Sequence, residues 1–140
     1  MDAKHQFVIA IFQLARRWRV RLDERLKPSG LTKSGWAVVY WLSRSPEGVT
    51  QGQLAEQIGL ETSTLTRQLD GMERQGWIER RSVSGDRRLK LVLLSDQGRA
   101  RMQALQPVAE TLREELLADI SEAELEAAVK VLQRVQARFD

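Results

Sequence analysis

Five basic side chains and one carboxylate are concentrated in eleven residues, from Arg80 to Lys90. The segment reads RRSVSGDRRLK, so the basic side chains fall on both sides of a Ser-Gly-Asp turn signal. Apolar residues alternate after the turn in LKLVLL, which is typical of a strand. Clustered positive charge on a hairpin suits the binding of phosphates or the reading of base edges. A solvated basic surface is the alternative interpretation, and the neighbouring elements must decide between them.

A second candidate site precedes this hairpin, in the stretch ETSTLTRQLD. With Leu65 and Leu69 turned inward on a helix, the residues left facing outward or partly so are Thr62, Ser63, Thr64, Thr66, Arg67 and Gln68. Hydroxyl groups bond phosphates or bases, and Arg67 can donate two hydrogen bonds to O6 and N7 of guanine. The free backbone N–H groups of a helix start also favour a phosphate. The alternative is that the hydroxyls only cap the helix and keep it soluble.

The elements around these two stretches predict a winged helix. A capping box of Thr50 and Gln53 starts a short helix, and a turn at Gly59 leads to a second helix. Thr62 is placed to cap this second helix, which ends at Gly76. Two short helices joined by a turn form a helix-turn-helix. The strands WIERRSV and RLKLVLL follow it as a hairpin, which completes the order of a winged helix.

Long helices are predicted on both sides of this lobe. Residues 4–27 carry one apolar stripe, which Pro28 and Gly30 interrupt, and Thr32 is placed to cap the helix that follows. After the hairpin, Ser95 is placed to cap a fifth helix. The last helix begins with the capping box SEAE.

Pro107 lies in the interior of the fifth helix, where the loss of one backbone hydrogen bond predicts a kink. The first and the last two helices present more apolar surface than a lobe of this size covers. A two-fold homodimer would bury these helices, and packing within one chain as a helical cap is the alternative.

Composition excludes several other classes of protein. The chain has 140 residues, a net charge of +3 and 42% hydrophobic residues, which favours one soluble domain. There is no cysteine, and His5 is the only histidine, so no metal cluster and no nucleophile–base pair is expected. No apolar run is long enough for a membrane helix, and no signal peptide is recognisable. We therefore expect a cytoplasmic protein that is not an enzyme, uses no metal or cofactor and has no membrane partner.

In a winged helix the hairpin tip reaches the minor groove beside the recognition helix. The narrow minor groove of A·T-rich DNA attracts an inserted arginine. Arg87 and Arg88 are predicted at the tip, and Asp86 is placed to orient one of them through a bidentate pair. We therefore interpret residues 62–75 as a recognition helix for the major groove of double-stranded DNA and residues 80–90 as a minor-groove wing.

These two stretches and the elements around them resemble a known family. The order of elements and the stretch LAEQIGLETSTLTRQLDGMERQGWIERR, followed by GDRRLKLVLLSDQG, are similar to the MarR family of bacterial transcription regulators. The stretch WRVRLDERLKPSGLTKSGW resembles the SlyA branch more narrowly. The resemblance implies a homodimer on a palindromic operator. By matching position it also implies that Arg67 is the recognition-helix arginine and that Arg87 and Arg88 are the paired wing arginines.

The same resemblance implies a small-molecule effector, because small aromatic anions release many members of the family from DNA. Arg16, Thr32 and Trp36 fall at positions that resemble the effector pocket of the SlyA branch. An arginine for a phenolate or carboxylate and an indole for an aromatic face would suit such a ligand. The alternative is that Trp18, Trp36 and Trp41 belong to the core and that Arg16 is solvated.

The predicted fold is therefore mainly α with a small β-hairpin (α+β), in one MarR-like domain of residues 1–140. Within it, residues 32–98 are predicted to form the DNA-binding lobe, and residues 1–28 and 99–140 the dimerisation region. Two other functions remain open. An architectural or antisilencing protein would bind A·T-rich DNA through backbone charge with low specificity. A winged helix used for protein contacts would instead expose an apolar or acidic recognition helix.

Overall fold

The computed structural model describes residues 1–31, 34–83 and 85–140, except for the side chains of Asp86 and Arg87. The described residues form a mainly helical chain with a small antiparallel sheet, which confirms the predicted fold class. The elements in chain order are α1 Ala3–Leu26, α2 Gly35–Ser43, β1 Val49–Thr50, α3 Gln51–Ile58, α4 Thr62–Arg74, β2 Ile78–Val83, β3 Asp86–Leu94, α5 Asp96–Leu116 and α6 Glu122–Gln136. The chain divides into two compact units, Met1–Ala109 and Glu110–Asp140.

The core of the first unit lies between α2, α3, α4 and the sheet. Its fully buried members include Val38, Val39, Leu42, Leu54, Leu65, Leu69, Trp77 and Val92. In α4 the spacing of Leu65, Leu69 and Met72 places all three on one side of the helix, as the sequence predicts. Burial of this face leaves the opposite face of α4 for solvent or a ligand.

The sheet has three strands in the order β1-β3-β2, so it is larger than the predicted hairpin. The additional strand is Val49–Thr50, which pairs antiparallel with β3 through Val49 opposite Val92. The predicted hairpin itself is present, with Ile78 opposite Leu94. Since β1 leads directly into α3, the sheet holds the start of the helix-turn-helix.

Two predicted capping boxes are present with the expected hydrogen bonds. Before α3, the Thr50 N–H donates to Gln53 Oε1 at 2.9 Å and the Gln53 N–H donates to Thr50 Oγ1 at 3.2 Å. Before α6, the Ser121 N–H donates to Glu124 Oε1 at 3.1 Å and the Glu124 N–H donates to Ser121 Oγ at 3.2 Å. Each box satisfies two backbone N–H groups that a helix start leaves free.

The predicted cap of α4 is wrong by one residue. Glu61, with an extended backbone, is the cap, and Thr62 is the first helical residue. Because no side chain caps this helix, the Thr62 hydroxyl does not have the role that the sequence suggested. The predicted cap at Thr32 lies outside the described residues, and α2 begins at Gly35 after Ser34, whose φ is 63°.

In the first unit, the apolar stripe of α1 changes from buried to exposed along the helix. Leu26 is buried and Trp18 is half-buried, whereas Phe12, beside the stripe, is 72% exposed. The other large apolar side chains that α1 exposes are Phe7, Val8, Ile11, Leu14 and Val20. The N-terminal half of α1 therefore has an apolar surface that the described residues of one chain leave uncovered.

The second unit contains the end of α5, then α6 and a short 3₁₀ turn at Ala137–Phe139. α5 does not end at Pro107 but continues as a helix to Leu116. Along α6 the exposed apolar residues Val129, Leu132 and Val135 follow helical spacing. Like α1, this helix presents an apolar stripe to solvent.

Candidate nucleic-acid interface

The exposed side of α4 carries the predicted base-reading residues at its N-terminal end. Thr62, Ser63, Thr64 and Arg67 are all exposed, opposite the buried Leu65. The Arg67 side chain makes no hydrogen bond or ion pair with any residue that the structure describes. Ser63 and Arg67 are four residues apart, so they share one face of the helix. This face offers hydroxyls and one guanidinium to a ligand.

Thr66, predicted with this group, is engaged within the helix-turn-helix. Its hydroxyl donates to the Thr62 carbonyl at 2.8 Å and accepts a hydrogen bond from Gln51 Nε2. Thr66 is half-buried, and so is Gln68, which also interacts within the chain. Gln51 was not recognised from the sequence. It joins the start of α3 to the first turn of α4 and thereby fixes the two helices of the motif.

The wing contains an irregularity at the point where its arginines lie. Ser82 pairs with Lys90, but the next residue, Val83, pairs with Asp86. Arg87 and Arg88 lie between these two partners on β3, where the register between the two strands shifts. Gly85, with a φ of +89°, makes the turn in a conformation that other residues rarely adopt. Such bulges bend a strand and redirect its side chains.

The basic residues of the wing have different environments. Arg80 and Arg81 bond carboxylates of the same chain: Arg80 bonds Asp70 and Glu73, and Arg81 bonds Glu79. Arg88 is exposed. The side chains of Asp86 and Arg87 lie outside the described residues, so the orienting role of Asp86 stays a prediction. Part of the basic cluster is therefore neutralised by the protein itself.

The motif Leu-Ser-x-x-Gly after the wing fixes the start of α5 to the turn that follows α4. The Ser95 hydroxyl accepts from the Gly98 N–H at 2.8 Å, as predicted for the cap. Its single proton is donated to the carbonyl of Gly76 at 2.5 Å, and the Trp77 carbonyl oxygen lies farther away, at 3.2 Å. A Cβ atom on Gly98 would overlap the Trp77 carbonyl oxygen, so only glycine permits this approach. The motif is visible in the sequence, but the close approach that requires glycine at position 98 is visible only in the structure.

Arg101 strengthens the same junction from the next turn of α5. Its guanidinium donates to the carbonyl of Gln75 at 2.7 Å, just after the last turn of α4. The guanidinium carbon also lies 5.2 Å from the centroid of the Trp77 ring, within the range of a cation–π contact. The end of α4 is therefore tied to α5 by a buried indole, a guanidinium and a hydroxyl.

The predicted effector site stays a prediction. Arg16 is exposed on α1, Trp36 is half-buried against the core on α2, and Thr32 lies outside the described residues. A cavity of about 370 Å³ does occur in the first unit, and its lining residues are Trp41, Arg44, Ser45, Val49, Gln53, Leu54 and Gln57. Neither Arg16 nor Trp36 lines that cavity.

The described ranges contain neither a membrane-spanning helix nor a metal-binding cluster. No helix there is both long and apolar enough to cross a membrane. The same part of the chain contains no group of three or more His, Asp or Glu side chains arranged to hold a metal ion.

A winged helix-turn-helix that exposes hydroxyls and Arg67 beside a basic wing belongs to the DNA-binding class of winged helices. A MarR family model matches residues 29–89, which extend from just after α1 into β3. The chain is also similar to the transcriptional regulator PA3341, with 35% identity and a TM-score of 0.87, over 95% of this chain and 97% of that chain. The chain belongs to the MarR family of transcriptional regulators.

Two more distant structures share the fold. The transcriptional regulator SlyA is 20% identical with a TM-score of 0.85, over 95% of this chain and 93% of that chain. The S. aureus MepR–DNA complex is 19% identical with a TM-score of 0.80, over 99% of this chain and 98% of that chain. The relatives are regulators of transcription, which points to a protein that is not an enzyme.

Proposed function

We propose that the protein is a homodimeric, sequence-specific DNA-binding regulator that recognises a palindromic operator containing A·T pairs. The observation that carries the proposal is the exposed face of Ser63, Thr64 and Arg67 on a helix whose other face is buried. In this reading α4 enters the major groove, while Arg87 and Arg88 reach the adjacent minor groove. A DNA complex of a protein with the same fold, MepR, is consistent with this use.

The proposed homodimer uses the apolar surfaces of α1 and α6. Single exposed apolar residues are ordinary on a protein surface, but contiguous stripes mark interaction sites. Phe12 at 72% exposure and Phe139 at 85% lie near the two ends of the chain, on the helical regions predicted to dimerise. Sedimentation equilibrium should give twice the 16.0 kDa chain mass at micromolar concentration. A monomer mass over the whole concentration range would contradict the dimer.

The two alternative functions make different demands on α4. A winged helix for protein contacts should expose apolar or acidic residues, whereas the exposed first turns of α4 carry hydroxyls and a guanidinium. The same face also suits an architectural DNA-binding protein, because such a protein would differ from the proposed regulator in sequence specificity and not in fold. The proposal therefore depends on a measured difference between a specific and an unspecific duplex.

Selection of bound sequences from a random duplex pool at near-physiological salt supplies the specific duplex. Affinity for that duplex and for a shuffled duplex of equal composition is then measured as salt is varied. Specific recognition predicts a gap of about a thousandfold or more at physiological salt. Equal affinities with the same steep salt dependence would indicate binding through backbone charge alone, as the architectural alternative requires.

The relationship to the SlyA branch and the aromatic effector are finer proposals. Both derive from the resemblance of the region around Trp18 to Trp36, where Arg16, Thr32 and Trp36 would bind a phenolic or carboxylate ligand. Salicylate is a suitable probe of this chemistry, and release of the operator should follow its titration. Replacement of Arg16 by alanine should raise the salicylate concentration needed for release without changing DNA affinity in its absence. Unchanged release by this variant would reject the assignment.

A further inference from the structure

Arg80 makes two ion pairs that connect the wing to the recognition helix. It lies on β2, and its Nη1 atom is 3.0 Å from Asp70 Oδ1 and 3.0 Å from Glu73 Oε1. Asp70 and Glu73 are three residues apart on α4, so they lie next to each other on one face. The Arg80 side chain is only 16% exposed. One mostly buried guanidinium thus joins two carboxylates of a different element.

The ion pair of the next residue, Arg81, does not connect two elements. Arg81 pairs with Glu79, two residues earlier on the same strand, so that contact restrains only the strand itself. Exposed pairs of this kind contribute little, because solvent screens them and the side chains stay mobile. Arg80 is largely shielded from solvent and bonds two acceptors, which leaves its head group little freedom.

This placement also removes Arg80 from direct use as a DNA ligand. A guanidinium that is engaged by two carboxylates would have to leave both before it could bond a phosphate. The carboxylates in turn would repel the DNA backbone if Arg80 did not neutralise part of their charge. Arg80 therefore acts on the arrangement of the other contacts and on the local charge.

We infer that Arg80 is a positioning residue that sets the angle between α4 and the wing. The inferred role is to hold the wing relative to α4 so that Arg88 reaches the minor groove when Arg67 lies in the major groove. The inference rests on the proposed DNA-binding function and adds a residue to it that touches no base. Loss of Arg80 should leave the major-groove contacts in place and misdirect the wing.

A double-mutant cycle tests this coupling directly. The affinities of the wild type, Arg80→Ala, Arg88→Ala and the double variant are measured on the selected duplex. Each single variant should bind about tenfold more weakly, and the double variant should bind no more weakly than the worse single variant. At raised salt, where the charge that Arg80 neutralises is screened, a positioning residue has no remaining effect once the wing contact is gone. Losses that multiply in the double variant would overturn the inference and make Arg80 an independent contact.

Removal of the two carboxylates provides a second test, because the charge effect and the positioning role predict opposite changes in DNA affinity. The variant with both Asp70→Ala and Glu73→Ala removes two negative charges close to DNA, which by long-range electrostatics alone should tighten binding. A positioning role predicts weaker binding and a reduced preference for A·T pairs at the edges of the motif. The matched control is Glu47→Ala with Glu56→Ala, which removes two exposed carboxylates from the same lobe. Tighter binding by the Asp70/Glu73 variant, as in this control, would contradict the inference.

A purely structural role is separated by the conservative variant. Arg80→Lys retains the charge and can reach one carboxylate, so it should recover part of the lost affinity. Urea unfolding of Arg80→Lys should stay close to that of the wild type. The carboxylate variant, which leaves a mostly buried guanidinium without its acceptors, should be less stable, and its DNA affinity is measured where it remains folded. If all Arg80 variants lose stability and DNA affinity in parallel, the residue is structural and the inference is wrong.

Failure of the proposed function is distinguishable from failure of the inference. A wild-type protein that selects no symmetric duplex removes the proposed function, and the inference falls with it. A wild-type protein that selects such a duplex, combined with multiplicative losses in the cycle, removes only the role of Arg80.

Discussion

Substitution of Gly98 by alanine should destabilise the protein, although alanine is the better helix former. Gly98 lies in the first turn of α5 and is buried against the Trp77 carbonyl. The helix propensity of alanine would contribute about 0.5–1 kcal/mol of stabilisation. The added methyl group, however, overlaps a backbone oxygen, which cannot move aside as a flexible side chain could.

Two costs oppose the gain in propensity. Displacement of packed backbone costs about 1–3 kcal/mol. The Trp77 carbonyl also accepts from the Ser95 N–H at 3.1 Å, and loss of this bond costs about 0.5–1.5 kcal/mol. We therefore expect Gly98→Ala to lower the free energy of unfolding by about 2–3 kcal/mol.

The matched control is Gly52→Ala, the same change at an exposed position of α3. A Cβ atom at Gly52 has no heavy atom within 4 Å, so this variant should be more stable than the wild type by about 0.5–1 kcal/mol. Urea unfolding followed by tryptophan fluorescence, at one fixed protein concentration, measures both changes, because Trp77 is fully buried. An unchanged or raised midpoint for Gly98→Ala, beside a normal control, would refute the argument from close approach.

Three further predictions concern the candidate interface and one helix cap. Arg67→Ala should cost about 1–3 kcal/mol of binding to the selected duplex and relax one position per half-site, whereas a uniform loss on all sequences would identify a phosphate contact. Arg88→Ala should weaken specific binding while thermal unfolding stays unchanged, and a loss of folding would make Arg88 structural. The Ser121 N–H holds the pKa of Glu124 below its ordinary value of 4.5. Glu124→Ala should therefore destabilise the protein at neutral pH, and its difference from the wild type should shrink as the pH falls below 4.5, whereas a difference independent of pH would exclude the ionised cap.

Local signals were sufficient to predict most of the fold. The capping boxes at Thr50 and Ser121 each need only residues three positions apart, so the sequence displays the whole interaction. The buried face of α4 likewise follows from the spacing of Leu65 and Leu69. Strand β1 could not be predicted, because two residues carry no period and their pairing depends on Val92, which is distant in sequence.

The candidate site was predictable where it depends on the exposed face of one helix. Ser63, Thr64 and Arg67 are exposed because the apolar residues of α4 face the core. The internal partners of Thr66 and Arg80 were not predictable. Gln51 lies fifteen residues before Thr66, and the Arg80 contacts require that the chain turn back between α4 and β2.

In the proposed complex, each lobe of the dimer binds both grooves of one half-site, with α4 in the major groove and the wing in the minor groove. Dimethyl sulfate footprinting on the selected duplex tests both parts at once, since the reagent methylates guanine N7 in the major groove and adenine N3 in the minor groove. We expect protection of guanine N7 in two half-sites about one helical turn apart, with protected adenine N3 beside each. A bound duplex with every guanine N7 and adenine N3 still reactive would contradict this arrangement.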